Sequence, residues 1–280
     1  MIATQLPPDR VVHLAQTLPA APRVLAQLNR LLLDMGAGLG DIGVLLRRDA
    51  LLASRIIRVV NSPAFRGSGV SSVEQALQRV GFSEVYRLVG IATISQLAES
   101  PLTAYGYTPR LVSENALLCA LAGESLARRG GAEPRFAYSA GLLRSLGKVI
   151  LDRAAPEFPG PDFRESGSLS LATWEEARFG VTSTETGARV LAHLGFPDAV
   201  VAGVAGQSVD RGHAVLHPLA CIVSLAVFIA QEHGRGLTGE CVERSPSRET
   251  LACARINLRD LQEISDEVYT TFVAFRTALS

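Results

Sequence analysis

The distribution of proline constrains this chain more than any other feature of its sequence. The chain has 280 residues and 14 prolines, yet several long stretches contain none. Proline disrupts a helix interior because it lacks a backbone N–H and clashes with the preceding turn. Long helices therefore fit best into the proline-free stretches, which include 23–62, 64–100, 110–133, 135–155 and 219–245.

The apolar residues in these stretches follow helical spacing. They recur every three or four residues rather than in alternation, which is typical of amphipathic helices and not of strands. Two clear stripes consist of Val24, Leu25, Leu28, Leu31 and Leu32, and of Leu52, Ile56, Val59 and Val60. The pattern predicts an all-α fold.

Three short motifs have the spacing of a capping box, in which a Ser or Thr precedes a Glu or Gln by three residues. They begin at Ser72, Thr173 and Thr182, and each predicts the start of a helix. The last residues of the chain, from 249 to 279, are expected to form two helices that meet near Asn257.

A segment with two prolines and a glycine, 99–110, is the predicted boundary between two halves. We expect an N-terminal helical subdomain in residues 1–100 and a second helical subdomain, with the C-terminal helices, in residues 110–280.

Composition limits the classes of function. Lys and Arg number 27 and Asp and Glu also number 27, and this balance argues against a dedicated nucleic-acid-binding protein. The sequence shows no signal peptide, and its most apolar run, 219–230, is too short for a transmembrane helix. None of the four cysteines belongs to a C-x-x-C pair. We therefore expect a cytoplasmic protein with reduced thiols and no membrane association.

Several segments resemble, in order and spacing, one known family. DALLASRIIRVVNS (49–62) is followed by VSSVEQALQRVGF (70–82), AGLLRSLGK (140–148), FGVTSTETGA (179–188) and GFP (195–197). This series resembles the HDOD domain, the HD-related output domain of bacterial signalling proteins, over about residues 18–231. The resemblance implies an N-terminal helical subdomain packed on an HD-like helical subdomain.

The resemblance also identifies where HD-type phosphohydrolases bind metal. Such a site needs several nitrogen and oxygen ligands that converge on the ion. The matching positions here are Asn115, Arg144, Ser145, Ser183, Gly206–Gln207 and Val227. None is a His or an Asp, so we expect the metal-ligand positions to be lost, with no metal, no cofactor and no catalytic residue. His213 and His217 are four residues apart, a spacing that suits two metal ligands on one helix face. Pro218 follows directly and the Glu of an H-E-x-x-H motif is missing, so we expect a role at a helix start or on the surface instead.

The substituted positions allow two interpretations. Asn115, Arg144, Ser145, Lys148, Ser183 and Gln207 could line a pocket for a phosphate or a cyclic nucleotide. Alternatively, Arg144 pairs with a local carboxylate while Ser145 packs on a helix. Thr182 and Ser183 are most simply residues that cap a helix start.

A second group of candidates lies near the end of the predicted helix 50–60. Arg55 and Arg58 could contact an acidic partner or nucleic acid, or they could belong to a solvated face with internal ion pairs. Asn61 could contact a partner, or it could fix the turn after the helix through hydrogen bonds.

Together these features predict a non-catalytic module for signal transduction that acts by protein–protein interaction. The expected partner is another signalling protein of the kinase, receiver or cyclase type. Self-association stays open. The alternative is a sensor that binds a nucleotide or other anion in the degenerate metal pocket.

Overall fold

The computed structural model describes residues 5–31, 38–61, 69–168, 170–207, 217–240 and 245–276. Within these ranges the chain forms fourteen α-helices and no β-strand. Extended pairing in the described residues is confined to one isolated bridge between Leu102 and Tyr107. The prediction of an all-α fold is confirmed.

The helices divide at the turn around the Leu102–Tyr107 bridge. Those before it are α1 (Pro8–Gln16), α2 (Ala21–Leu31), α3 (Leu39–Arg47), α4 (Ala50–Val60) and α5 (Val73–Leu97). Those after it are α6 (Pro109–Gly130), α7 (Pro134–Leu143), α8 (Leu146–Ala154), α9 (Leu171–Phe179), α10 (Ser183–His193), α11 (Asp198–Ala205), α12 (Pro218–Glu232), α13 (Arg248–Ala254) and α14 (Leu258–Arg276).

Most of the first group packs around α5. Helices α2, α3 and α4 each contact it. The backbone of Gly81 has φ 77°, which breaks the helical geometry of α5. Glycine takes up this left-handed conformation without the steric penalty that a side chain would add. The break bends α5 between the part that follows the Ser72 cap and the apolar part that ends at Leu97.

The second group is built on α6 and α7, which make the most extensive helix contact in the structure. Helices α12 and α14 pack on α6, while α8 packs on α10. At the α8–α10 contact, a Cβ built on Gly147 would lie 1.8 Å from the carbonyl oxygen of Ser183. Only glycine therefore allows the two helices to approach this closely.

Helix α1 packs on the second group although it begins the chain. It contacts α8 and α10. The backbone N–H of Leu6 donates to the carbonyl oxygen of Phe179 at 2.9 Å, and Arg10 pairs with Glu157. The N-terminal segment is thus held against the second group of helices.

A buried polar cluster joins the two halves. Asn29 Nδ2 on α2 donates to Ser139 Oγ on α7 at 3.0 Å, and Tyr86 Oη on α5 lies 2.5 Å from the same oxygen. All three residues are almost fully buried. Because buried hydrogen-bonding groups need specific partners, this cluster fixes how α2, α5 and α7 pack together.

The structure tests the predicted helix starts. Ser72 and Thr182 cap α5 and α10, and the capping box from Thr182 to Glu185 is complete. The prediction for Thr173 is wrong, because Ser170 caps α9 and accepts from the Thr173 N–H. The two C-terminal helices, α13 and α14, meet at Asn257 as expected. None of the helices in the described ranges has both the length and the apolar character required to cross a membrane.

Candidate functional site

The side chain of Arg144 lies at the centre of a buried polar network. It follows α7, where a short turn leads into α8. Nη1 donates to Asn115 Oδ1 on α6 at 2.7 Å and approaches Ser145 Oγ at 3.3 Å, while Nε donates to Gln207 Oε1 at 2.9 Å. Four of the residues singled out in the sequence are therefore in direct contact.

A carboxylate from the segment after α12 balances this guanidinium. Glu240 Oε1 lies 2.6 Å from Arg144 Nη2 and 2.9 Å from Lys148 Nζ. The three side chains are 10%, 3% and 4% exposed, respectively, so the ion pairs are shielded from water. This is the carboxylate partner that the second interpretation of Arg144 requires.

The charges of this cluster support one another. Burial opposes ionisation of Glu240, but Arg144 and Lys148 outweigh it and lower the pKa of Glu240 below its ordinary value. Burial likewise opposes the charge of Arg144, but Glu240, Cys119 and Tyr107 together outweigh burial and raise the pKa of Arg144. Both groups are therefore charged at neutral pH.

The amides around Arg144 are anchored in turn. Asn115 Nδ2 donates to the carbonyl oxygen of Arg235 at 2.7 Å. Gln207 Nε2 donates to the carbonyl oxygens of Arg144 and Val204, each at 3.1 Å. Each amide thus binds Arg144 with its oxygen and the backbone with its nitrogen, which fixes the orientation of both side chains.

The segment 235–240, which carries Glu240, is held at two further points. Tyr107 Oη donates to the carbonyl oxygen of Thr238 at 2.5 Å, and the Leu171 N–H donates to the carbonyl oxygen of Gly239 at 3.0 Å. Gly239 has φ 86°, a conformation that favours glycine. These contacts position the segment so that the carboxylate of Glu240 lies against Arg144.

Ser183 lies across the site as the first residue of α10. Its backbone N–H donates to Glu175 Oε2 at 2.7 Å, and Tyr105 Oη donates to Glu175 Oε1 at 2.9 Å. Burial raises the pKa of Glu175 more than Lys148 and these hydrogen bonds lower it. Thr182 takes the capping role, as its sequence position predicts.

A cavity of about 130 Å³ lies between these elements. Its lining includes the substituted HD positions Arg144, Ser183, Gln207 and Val227. The other charged residues of the lining are Lys148, Glu175, Glu185 and Glu240.

The residues present do not fit a metal ion. The HD positions carry two amides, a guanidinium, two hydroxyls and an aliphatic side chain instead of imidazoles and carboxylates. The described residues contain no group of three His, Cys, Asp or Glu side chains that could hold a metal. The Arg144 cation would also repel a divalent ion at this position.

The candidates on α4 have mostly internal contacts. Arg55 pairs with Glu99 at 3.1 Å. Asn61 donates through Nδ2 to the carbonyl oxygen of Val70 at 2.8 Å, and its Oδ1 accepts from the Val70 N–H at 2.9 Å. Asn61 thus fixes the ends of the 61–70 connection, while Arg58 stays exposed.

Two acidic residues of the site were not identified from the sequence. Glu240 is 96 residues from Arg144, and Glu175 is held by Tyr105 from 70 residues away. The sequence indicates that a buried Arg144 needs a carboxylate partner. Which carboxylate takes that role depends on the tertiary fold.

Comparison with solved structures identifies the fold. An HDOD domain protein of unknown function from Geobacter sulfurreducens is 19% identical with a TM-score of 0.70, and the match covers 97% of each chain. A candidate signal transduction protein from Marinobacter aquaeolei VT8 is 19% identical with a TM-score of 0.72, over 97% of this chain and 65% of that chain. A candidate phosphohydrolase from Shewanella amazonensis SB2B is 19% identical with a TM-score of 0.63, and the match covers 97% of this chain and 98% of that chain.

Comparison at the level of sequence families is equally direct. A search of curated proteins found no significant match. The HDOD domain family model, however, matches residues 18–209, which is more than half of the 280 residues. The fold, the order of the sequence motifs and this match agree, and the chain belongs to the HDOD domain family.

Proposed function

We propose that this protein is a non-catalytic signalling module that acts by binding another protein. One observation carries the proposal. The resemblance aligns Arg144 with a metal-ligand position of HD-type hydrolases, and its guanidinium is bound by Asn115, Gln207 and Glu240. A metal-dependent hydrolase needs an ion at this position, and here a protein cation takes its place.

The role in signalling rests on the family and on the likeness to a candidate signal transduction protein. The proposed partner is another signalling protein of the kinase, receiver or cyclase type. The partner would contact apolar helix faces, with charged residues at the rim setting its orientation. The α4 surface is the first region to test, because Leu51 is 55% exposed and Arg58 is exposed on the same helix.

The non-catalytic part of the proposal is tested by an activity assay. The purified protein is incubated with Mn²⁺, Mg²⁺ or Fe²⁺ and with generic phosphodiester and phosphomonoester substrates, and an HD-type phosphohydrolase serves as positive control. We expect no turnover above that of the metal alone. Metal-dependent turnover that an Arg144→Ala substitution abolishes would contradict the proposal.

The interaction is tested by site-specific crosslinking in the native cell. A photo-reactive amino acid replaces Arg58 in one variant and Arg259 in another. Arg259 is a matched control, since it is also a helical arginine and its side chain is 88% exposed. We expect one discrete signalling protein to crosslink at position 58 and not at position 259. Equal labelling at both positions would remove α4 as the interaction surface.

A second candidate function is a sensor that binds a nucleotide or other anion. The observation in its favour is the cavity of about 130 Å³ that Arg144 and Lys148 line. Titration calorimetry with cyclic dinucleotides, nucleoside phosphates and inorganic phosphate tests it. Heats no larger than those of dilution, for all of these ligands, would remove this candidate.

A further inference from the structure

In the cavity wall, two buried cations share one oxygen of a single carboxylate. Arg144 and Lys148 are both buried, and both use the same oxygen of Glu240 as their carboxylate partner. The other oxygen, Oε2, is buried and has no hydrogen-bond partner among the described residues. One carboxylate oxygen therefore serves two buried cations.

From this arrangement we propose that the cavity binds a small oxyanion, a phosphate or a short carboxylate, which replaces the Glu240 carboxylate between Arg144 and Lys148. The inference rests on the second candidate function and names the ligand class of that site. In this view Glu240 is an internal stand-in for the ligand. The side chain competes with the ligand for the same two cations.

The donors at the site favour an oxyanion over the single oxygen that now serves them. The ammonium of Lys148 has three N–H donors, and the guanidinium of Arg144 has five in a planar fork. Asn115, Gln207 and Ser145 accept from Nε and Nη1 of Arg144, which leaves Nη2 facing Glu240. A phosphate offers several oxygens to these donors where Glu240 now offers one.

The opposite wall of the cavity is formed by the start of α10. Thr182, Ser183 and Thr184 line the cavity at the start of α10, which is eleven residues long. The N-terminal end of a helix carries partial positive charge. Glu175 and Glu185 line this wall as well, and they already accept from the Ser183 N–H and from Thr182. Arg144 and Lys148 on the other wall would therefore supply the main contacts to a bound anion.

The size of the cavity restricts the ligand. Its volume is about 130 Å³, close to the roughly 150 Å³ of an apolar cavity that binds benzene. Sites for larger organic ligands usually measure about 300–1,000 Å³. Inorganic phosphate or acetate fits this space as a whole, whereas a nucleotide would place only a phosphate group in it.

The decisive experiment compares the native protein with Lys148→Met. Titration calorimetry and thermal shift are measured with inorganic phosphate and, separately, with acetate, at constant ionic strength in chloride. The substitution keeps the Arg144–Glu240 pair and removes one proposed ligand contact. We expect saturable binding of at least one of the two anions to the native protein, and at least about tenfold weaker binding to K148M.

A second variant, Glu240→Gln, tests the competition. It removes the internal carboxylate, so the affinity for the anion should rise by about tenfold or more. Its melting temperature should also rise more with phosphate than that of the native protein, because the anion restores the missing counter-charge. If this variant does not fold, the comparison with K148M decides alone.

Three results would overturn the inference. They are no saturable binding of phosphate or acetate by the native protein, binding that K148M leaves unchanged, and binding that only E240Q shows. In the last case Glu240 is a structural counter-ion and not a stand-in. Nucleotide binding without phosphate or acetate binding would keep the sensor function and remove only the small oxyanion.

Discussion

Arg144 Nη2 lies 2.6 Å from Glu240 Oε1, and this buried ion pair joins the turn before α8 to the segment after α12. The resemblance to HD-type hydrolases aligns Arg144 with a metal-ligand position of those enzymes. Three amide or hydroxyl oxygens and one carboxylate surround that cation. Together these contacts form a buried polar network around Arg144.

Loss of the Glu240 carboxylate should destabilise the protein strongly. Glu240→Gln leaves two buried cations without a counter-charge, and breaking a buried pair in this way costs about 3–5 kcal/mol of unfolding free energy. Urea denaturation measures the change. Arg259→Ala is the control, because its pair with Glu263 is exposed and such pairs contribute about 0–1 kcal/mol. Similar losses of unfolding free energy in the two variants would show that the buried ion pair stabilises the fold no more than the exposed one.

The contribution of Glu240 should depend on pH in one direction. The folded protein lowers the pKa of Glu240 from its ordinary 4.5, so the carboxylate stabilises the fold above about pH 4.5. This stabilisation is lost as the pH falls through the lower, folded-state pKa. The difference in unfolding free energy between the native protein and E240Q should therefore shrink below pH 4.5. A difference that stays constant down to pH 3 would disprove the assigned coupling.

The close approach of α8 and α10 predicts a strong effect of one methyl group. Gly147→Ala would place Cβ 1.8 Å from the Ser183 carbonyl oxygen, so the helices must separate. We expect a loss of about 3 kcal/mol or more, the upper range for overpacked cores. Gly40→Ala in α3 is the matched control, because nothing lies within 4 Å of its Cβ. Alanine there should be neutral or stabilise by up to about 1 kcal/mol.

Asn61→Ala should loosen the connection after α4. It removes both hydrogen bonds with Val70, and each contributes about 0.5–1.5 kcal/mol. We expect a loss of about 2 kcal/mol in thermal or urea unfolding. Ser54→Ala on the same helix removes one exposed hydrogen bond, to the Leu51 carbonyl oxygen, and should have little effect. Unchanged stability of N61A would favour a role for Asn61 in partner binding.

Much of the fold could be predicted from the sequence because its local signals are strong. Stripes such as Leu52, Ile56 and Val60 face the core of the structure, and the Thr182 capping box starts a helix where expected. The error at Thr173 arose because Ser170 offers a second capping side chain three residues earlier. Local spacing alone does not decide between two capping residues that lie three positions apart.

Only those residues of the candidate site that lie in the family motifs could be predicted from the sequence. Asn115, Arg144, Ser145 and Gln207 meet as their motif positions imply. Glu240 and Glu175 follow no recognisable motif, and they reach the site through tertiary contacts with Arg144 and Tyr105. The fold positions such residues, so spacing along the chain does not reveal them.

The most direct test of the central claim is the metal content of the protein. The purified protein is loaded with excess Mn²⁺ or Fe²⁺, dialysed and analysed by mass spectrometry of the elements, with an HD-type phosphohydrolase carried through the same steps. Because Arg144 and its bound oxygens take the metal position, we expect only trace metal per chain, against stoichiometric metal in the control. One or two tightly bound ions per chain, lost on substitution of Asn115 or Gln207, would contradict the account.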